Sequence, residues 1–289
     1  MILILVLLLI TGCGCGFGRN NAPDKINKYR AGEITLEINR ARDNLILFNN
    51  TFSFSKTKFV NGNSRLFEGL LCSSGEQRSC DVIKDMQDKY DFMCRSWEHC
   101  LKGDTLLNAS SRDEFLGELL FWTTTKYYNN VPDNNYINNG KICKNASDRR
   151  CSVNIYQNRA FYSILHKLGR ISTSAPYAQL YTLLQAKKAP TGYKLHLQAV
   201  MVYLYQLNNI CEELCIEAAK ILIKRQPQNE FYQYLAGYHK KATDIFLEHT
   251  KYLTYVKQGQ WWSQRSSSEE AWLSGNAANT IFLGNLLSK

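Results

Sequence analysis

Arg112, Asp113 and Glu114 stand side by side within Asn108–Trp122, N-A-S-S-R-D-E-F-L-G-E-L-L-F-W. A further carboxylate, Glu118, follows one helical turn on. Paired carboxylates do hydrolytic chemistry when one protonates a leaving group and the other acts as nucleophile or base, as in glycoside hydrolysis. Asp113 is the candidate acid or base. Glu68, inside R-L-F-E-G-L-L-C at Arg65–Cys72, is the candidate partner. Arg112 would orient Asp113 or bind an anionic group. The plainer reading makes Asp113 a helix-end charge paired with Arg112, and sets Glu68 on an exposed helix face.

The other candidates for a substrate surface are polar or aromatic. Arg95 lies between Cys94 and Cys100, Gln87 lies on a polar helix, and Trp261-Trp262 forms an aromatic pair. An aromatic face packs well on the apolar face of a sugar ring, although two tryptophans also suit a core beside a helix start. The 5 histidines are dispersed, and none makes a ligand-spaced pair, so the sequence calls for no metal and no cofactor. His166, near a helix C-terminus, reads as a complement to the helix dipole. No G-x-S-x-G, H-E-x-x-H or phosphate-binding glycine loop occurs.

These residues need helices to hold them. Ser110 or Ser111 can cap a helix whose first turn carries Asp113 and Glu114. Phe115, Leu116, Leu119, Leu120 and Trp122 follow at helical spacing and predict burial. Further helices are expected at Glu33–Asn49, where Ile34, Ile38, Ala41 and Leu45 share a face although Ile34, Leu36 and Ile38 would also suit a short strand, and at Arg65–Cys72, Cys80–Tyr90 and Ile155–Leu168. From Ala175 on they are expected at Pro176–Lys188, Lys194–Asn208, Cys211–Arg225, Asn229–Lys257 and Ser268–Leu287, the fourth of these breaking near Gly237. Thr51–Phe59 reads as a short strand or an extended connector. Ser73–Ser79 reads as a polar loop, and Asn129–Asn145 as a long Asn-rich one. Short polar connectors make consecutive helices antiparallel neighbours.

The N-terminus predicts export. Met1–Ile10 is apolar but too short to span a bilayer. Leu9-Ile10-Thr11-Gly12-Cys13 then has the aliphatic–small–small–Cys order of a bacterial lipoprotein signal, although no Lys or Arg precedes the apolar run. Residues 1–12 are read as a signal peptide and Cys13 as the acylated residue holding the protein to a membrane. Residues 13–32 are read as a flexible Gly/Asn-rich tether and 33–289 as one helical domain. The expected location is the bacterial cell envelope, lipid-anchored or secreted. The cysteines agree, since most fall in local pairs suited to an oxidising compartment: Cys72/Cys80, Cys94/Cys100 and Cys143/Cys151. Cys211 and Cys215 are either a further pair or two buried thiols. The net charge of +10 is spread without a run of five like charges. It reads as a solvated basic surface that could favour an anionic glycan, not as a nucleic-acid site.

Three segments together carry a resemblance. Leu66–Glu76 (L-F-E-G-L-L-C-S-S-G-E), Arg95–Trp97 (R-S-W) and Ser111–Leu120 (S-R-D-E-F-L-G-E-L-L) resemble a group of uncharacterised bacterial exported proteins. D-R-R-C at Asp148–Cys151 and I-F-L-G-N-L-L near the C-terminus fit the same pattern. In that group the Arg-Ser pair is usually followed by proline, where this chain has Trp97. The group brings no activity with it. Its helix-rich pattern also looks like the α/α-toroid scaffold of several glycoside hydrolases and polysaccharide lyases, a likeness that bears on fold alone. The expectation is a mainly α chain of antiparallel helical hairpins, a toroid or toroid-like bundle, with local disulfides. The function read first is glycan cleavage by a hydrolase or lyase that uses Asp113 with a second carboxylate, and the alternative is a non-catalytic envelope role as scaffold or partner-binding lipoprotein.

Overall fold

Glycine positions and short apolar stripes decide where the helices of this chain begin and end. The computed structural model describes residues 28–43, 47–48, 51–52, 64–89, 112–127, 137–138, 141–142, 163–169, 178–190, 193–211, 213–252 and 269–289. Cys13, Cys94, Arg95, Cys100, Cys143, Cys151, Trp261 and Trp262 lie outside them, and so do the side chains of Arg112 and Asp113.

Helix α1 (Lys28–Asp43) turns Ile34, Ile38 and Ala41 into the core, the stripe its sequence predicts. It starts at Lys28, inside the stretch read as a tether. Apolar periodicity could not reveal this first turn, because an ion pair from Arg30 to Asp244 holds it. Two minimal antiparallel hairpins follow the connectors. β1 (Leu47–Phe48) pairs with β2 (Thr51–Phe52) where the helix expected to run to Asn49 has given way to a strand, and β3 (Ile137–Asn138) pairs with β4 (Lys141–Ile142) inside the Asn-rich stretch.

Helices α2 (Ser64–Ser74) and α3 (Gln77–Lys89) replace the polar loop expected at Ser73–Ser79. The physical reason is a tight corner. Ser73 and Ser74 turn their hydroxyls back onto the Leu70 and Leu71 carbonyls, each at 2.8 Å, and so stay helical. Gly75 then takes φ +114°, which closes α2 with hydrogen bonds from Gly75 N–H to Cys72 O and from Glu76 N–H to Leu71 O, both 3.0 Å. The Cys72–Cys80 disulfide spans this corner, with its Cα atoms 4.8 Å apart. Replacing both cysteines by serine should cost about 2–3 kcal/mol for a loop this short. Thermal unfolding with and without reductant would measure it, and an unchanged melting temperature would argue against the staple.

Helix α4 (Arg112–Thr125) is the predicted central helix, with Leu116, Leu119, Leu120, Phe121 and Trp122 all buried. Within the expected Ile155–Leu168 helix, residues 163–167 are helical, Ile164 and Leu165 are buried, and Gly169 ends the turn at φ +70°. The second half runs α5 (Ala178–Lys188), α6 (Tyr193–Leu207), α7 (Glu213–Arg225), α8 (Glu230–Leu235), α9 (His239–Tyr252) and α10 (Glu269–Leu287). The break near Gly237 falls where expected, at φ +82°, and Asn229 caps α8 by accepting from Tyr232 N–H at 3.2 Å. Arg225 closes α5 by donating to the Ala186 carbonyl at 2.9 Å.

Neighbouring helices α2–α3, α5–α6–α7 and α8–α9 pack as hairpins, so the architecture is mainly α with a local disulfide, as the sequence predicts. One hydrophobic cluster joins them. At its centre Tyr203 of α6, Phe231 of α8 and Phe282 of α10 meet edge to face, with centroids 5.4–6.0 Å apart. Helix α10 closes the core through Ile281, Phe282, Leu283, Leu286 and Leu287 and lies against α1 and α2. Among the described residues no helix is long and apolar enough to cross a membrane.

Candidate functional site: a buried ion pair at a glycine crossing

Helices α2 and α4 carry similar cores, L-F-E-G-L-L at Leu66–Leu71 and F-L-G-E-L-L at Phe115–Leu120. The glycines meet. A Cβ placed on Gly69 would lie 2.3 Å from the Gly117 carbonyl oxygen, and one on Gly117 would lie 2.2 Å from the Arg65 carbonyl oxygen. No side chain separates the two backbones there, so the helices cross at closest approach. The residues beside the glycines are forced into the seam. Arg65 precedes Gly69 by one helical turn and shares its face, while Glu118 adjoins Gly117.

In that seam Arg65 Nη1 donates to Glu118 Oε1, and Gln87 Nε2 of α3 donates to Glu118 Oε2. Each carboxylate oxygen thus has a donor, and three helices are tied at one point. Arg65 is 1% exposed, Glu118 0% and Gln87 4%. Arg65 Nε and Nη2 have no acceptor among the described residues. Leu66, Phe67, Leu70, Leu116 and Leu119 are buried on the same two helices, so the charges sit in an apolar interior.

Burial pushes the Glu118 carboxyl above the usual carboxylate range, and the Arg65 charge and the Gln87 hydrogen bond draw it partly back. The folded state therefore holds this proton more tightly than the unfolded chain. The stability it contributes is full below the unfolded glutamate pKa of about 4.3 and is lost as pH rises through the higher folded value. The wild-type melting temperature minus that of Glu118→Gln should fall with rising pH across that window. A flat difference would contradict the burial.

The sequence candidates divide. Glu68, expected on an exposed face, is buried at 4% exposure on α2, because that helix is enclosed by α3, α4 and α10. Gln87, expected at a substrate, faces Glu118 in the interior. Arg112 and Asp113 open α4. His166 is exposed at the end of its helical turn. Sequence reasoning gave Arg65 no part, and noted Glu118 without assigning it one. The available signal was a charge enclosed by leucines and phenylalanine in each segment.

Other buried polar groups lie away from this seam. Asn208 Nδ2 donates to Thr123 Oγ1 at 3.0 Å and to the Leu204 carbonyl at 2.8 Å, tying α4 to α6. His196 stacks obliquely on Phe231 at 5.9 Å, and burial holds its pKa well below the usual histidine range, in the neutral form. Burial also raises the Tyr203 phenol, whose hydroxyl lies 3.5 Å from the Ser73 carbonyl. Among the described residues no group of three or more His, Cys, Asp or Glu could hold a metal ion. Compared with protein-family models, with curated proteins and with solved structures, the chain matches none.

Proposed function

We propose that the protein is an exported, lipid-anchored helical protein of the bacterial envelope that acts by holding a surface for a partner, without catalysis. The observation that carries this reading is the Arg65–Glu118 pair, 1% and 0% exposed at a crossing where two helix backbones touch. A carboxylate enclosed in this way has no room for a substrate atom beside it. Its chemistry is internal, a charge pair that fixes how α2, α3 and α4 meet. The short apolar run ending at Cys13 supports acylation there, and the local cysteine pairs support an oxidising compartment.

The competing reading is a glycan hydrolase or lyase with Asp113 and Glu68 as its carboxylates, and Arg112, Arg95, Gln87, Trp261 and Trp262 at the substrate. It requires an open cleft at Glu68, and the burial of Glu68 and Gln87 weighs against it. Purified protein and its Asp113→Asn variant should be incubated with a panel of neutral and acidic polysaccharides. The envelope reading expects no chain cleavage by either. Cleavage by the wild type that disappears in the variant would replace it with the hydrolase. Expression with a palmitate analogue should label the wild type and leave Cys13→Ala unlabelled. Equal labelling would remove the anchor.

A further inference from the structure

Basic side chains gather at one end of the α5–α6–α7 hairpins. Helices α5 and α7 flank α6 in successive hairpins, so they run parallel and end together. Arg225, the last residue of α7, joins the two ends by donating to the Ala186 and Ala189 carbonyls. Helix α5 closes on Lys187-Lys188 and α7 on Lys224-Arg225. Helix α6 starts at the same end and carries Lys194 in its first turn. Lys187, Lys188, Lys194 and Lys224 are all exposed.

We propose that this basic end lies against the anionic headgroups of a membrane surface. The inference rests on the envelope reading, in which Cys13 is acylated, and it names the face that the protein turns to the bilayer.

The charge balance supports it first. Helices α5 and α6 contain no Asp or Glu, and Glu213 and Glu217 lie in the first half of α7. Glu230, which opens α8 after the end of α7, is 2% exposed. The C-terminal dipoles of α5 and α7 supply about one negative unit between them, and the α6 N-terminus offsets about half of it. Four lysines exceed that, and among the described residues none of the four is in an ion pair. Arg30, Arg40, Arg42 and Lys240, elsewhere on the surface, each have a carboxylate.

The type of side chain supports it next. Lysine offers a point charge on a flexible stem, without the fixed fork that grips a single anion, and so suits a fluid layer of phosphates. The arginine at this end already has its guanidinium on carbonyls. Leu184, 37% exposed one turn before Lys188, and Pro190, exposed just beyond it, add apolar surface beside the charges. The chain from Cys13 to Lys28, where α1 starts, spans at most about 50 Å, so an acylated Cys13 keeps the lysines close enough for weak contacts to add up.

The test is acetylation of the full chain with a membrane-impermeant reagent in the presence of vesicles, read lysine by lysine with peptide mass spectrometry. Vesicles of phosphatidylcholine alone are compared with vesicles that also contain phosphatidylglycerol. At low salt Lys187, Lys188, Lys194 and Lys224 should react at least about threefold more slowly on the anionic vesicles. Exposed Lys167, Lys241 and Lys289 should react at the same rate on both, and high salt should remove the difference. Lys187→Glu/Lys188→Glu/Lys224→Glu should lose the protection at Lys194, whereas Lys167→Glu/Lys241→Glu/Lys289→Glu should keep it. Equal rates on the two vesicles, protection of all lysines alike, or the same loss in both triple variants would overturn the proposal. So would protection by a soluble acidic polysaccharide without protection by anionic vesicles, which would make the partner a polymer. A palmitate-analogue label on Cys13 without lysine protection would remove this contact and leave the anchor standing. Lysine protection without the label would remove the anchor and leave the contact.

Discussion

Gly117→Ala should yield a chain that does not fold stably, with a loss of about 3 kcal/mol or more. The added Cβ would lie 2.2 Å from the Arg65 carbonyl oxygen, 2.7 Å from its carbon and 2.8 Å from Leu66 Cα. All three are backbone atoms of α2, and no rotamer change can clear them. The helices must move apart, which would open the seam around Arg65 and Glu118 and loosen the leucines on both sides. Gly69→Ala meets the same barrier from the other helix, 2.3 Å from the Gly117 oxygen. Gly32→Ala is the control. It stands inside α1 with nothing within 4 Å, so removing backbone freedom there should stabilise by about 0.5–1 kcal/mol. Urea or thermal unfolding of the three variants checks the contrast. A Gly117→Ala protein as stable as the wild type would mean that the helices do not cross this closely.

Removing one partner of the buried pair should cost about 3–5 kcal/mol, because it strands the other in an apolar interior. Glu118→Leu leaves the Arg65 guanidinium without its carboxylate and Gln87 Nε2 without its acceptor. Arg65→Met leaves a carboxyl already pushed upward by burial with Gln87 as its remaining described donor. Arg65→Met/Glu118→Leu removes both charges and should recover most of the loss, since apolar replacements of whole buried pairs are often neutral or better. The two single changes should therefore be strongly non-additive. Additive losses in the double variant would show that the two groups do not meet in the folded protein. Stability recovered in the double variant, with the envelope role intact, is what a structural pair implies.

Much of this architecture was legible in local pattern. The spans of α6, α7 and α10 follow from apolar stripes such as Leu195, Ala199 and Val202 and from short polar connectors. Gly169 and Gly237 each close a helical segment at a positive φ. The Ser73–Ser79 stretch misled because its serines look like loop residues, yet they satisfy themselves against α2's own carbonyls.

The candidate site was only half legible. Charges within leucine-rich segments were visible at Glu68 and Glu118, but what Glu118 faces depends on pairings 53 and 31 residues apart in the chain. A glycine inside a helix is locally a weakness, and only the other helix turns it into a contact. Side-chain burial on α2 likewise depends on α10, more than two hundred residues away, where Asn285 Nδ2 donates to Ser74 Oγ at 3.4 Å. No period in the sequence encodes that meeting.

The carboxylate at the helix crossing is sealed from solvent, with Glu118 0% exposed. Carbodiimide-driven amine labelling of the native full chain, read by peptide mass spectrometry, tests it most directly. Glu33 and Glu217 are exposed and should label readily, whereas Glu118 and Glu68 should stay unlabelled until the protein unfolds. Labelling of Glu118 or Glu68 in the folded protein at the rate of Glu33 would place them in a solvent-filled cleft. The buried pair would then give way to a two-carboxylate catalytic site.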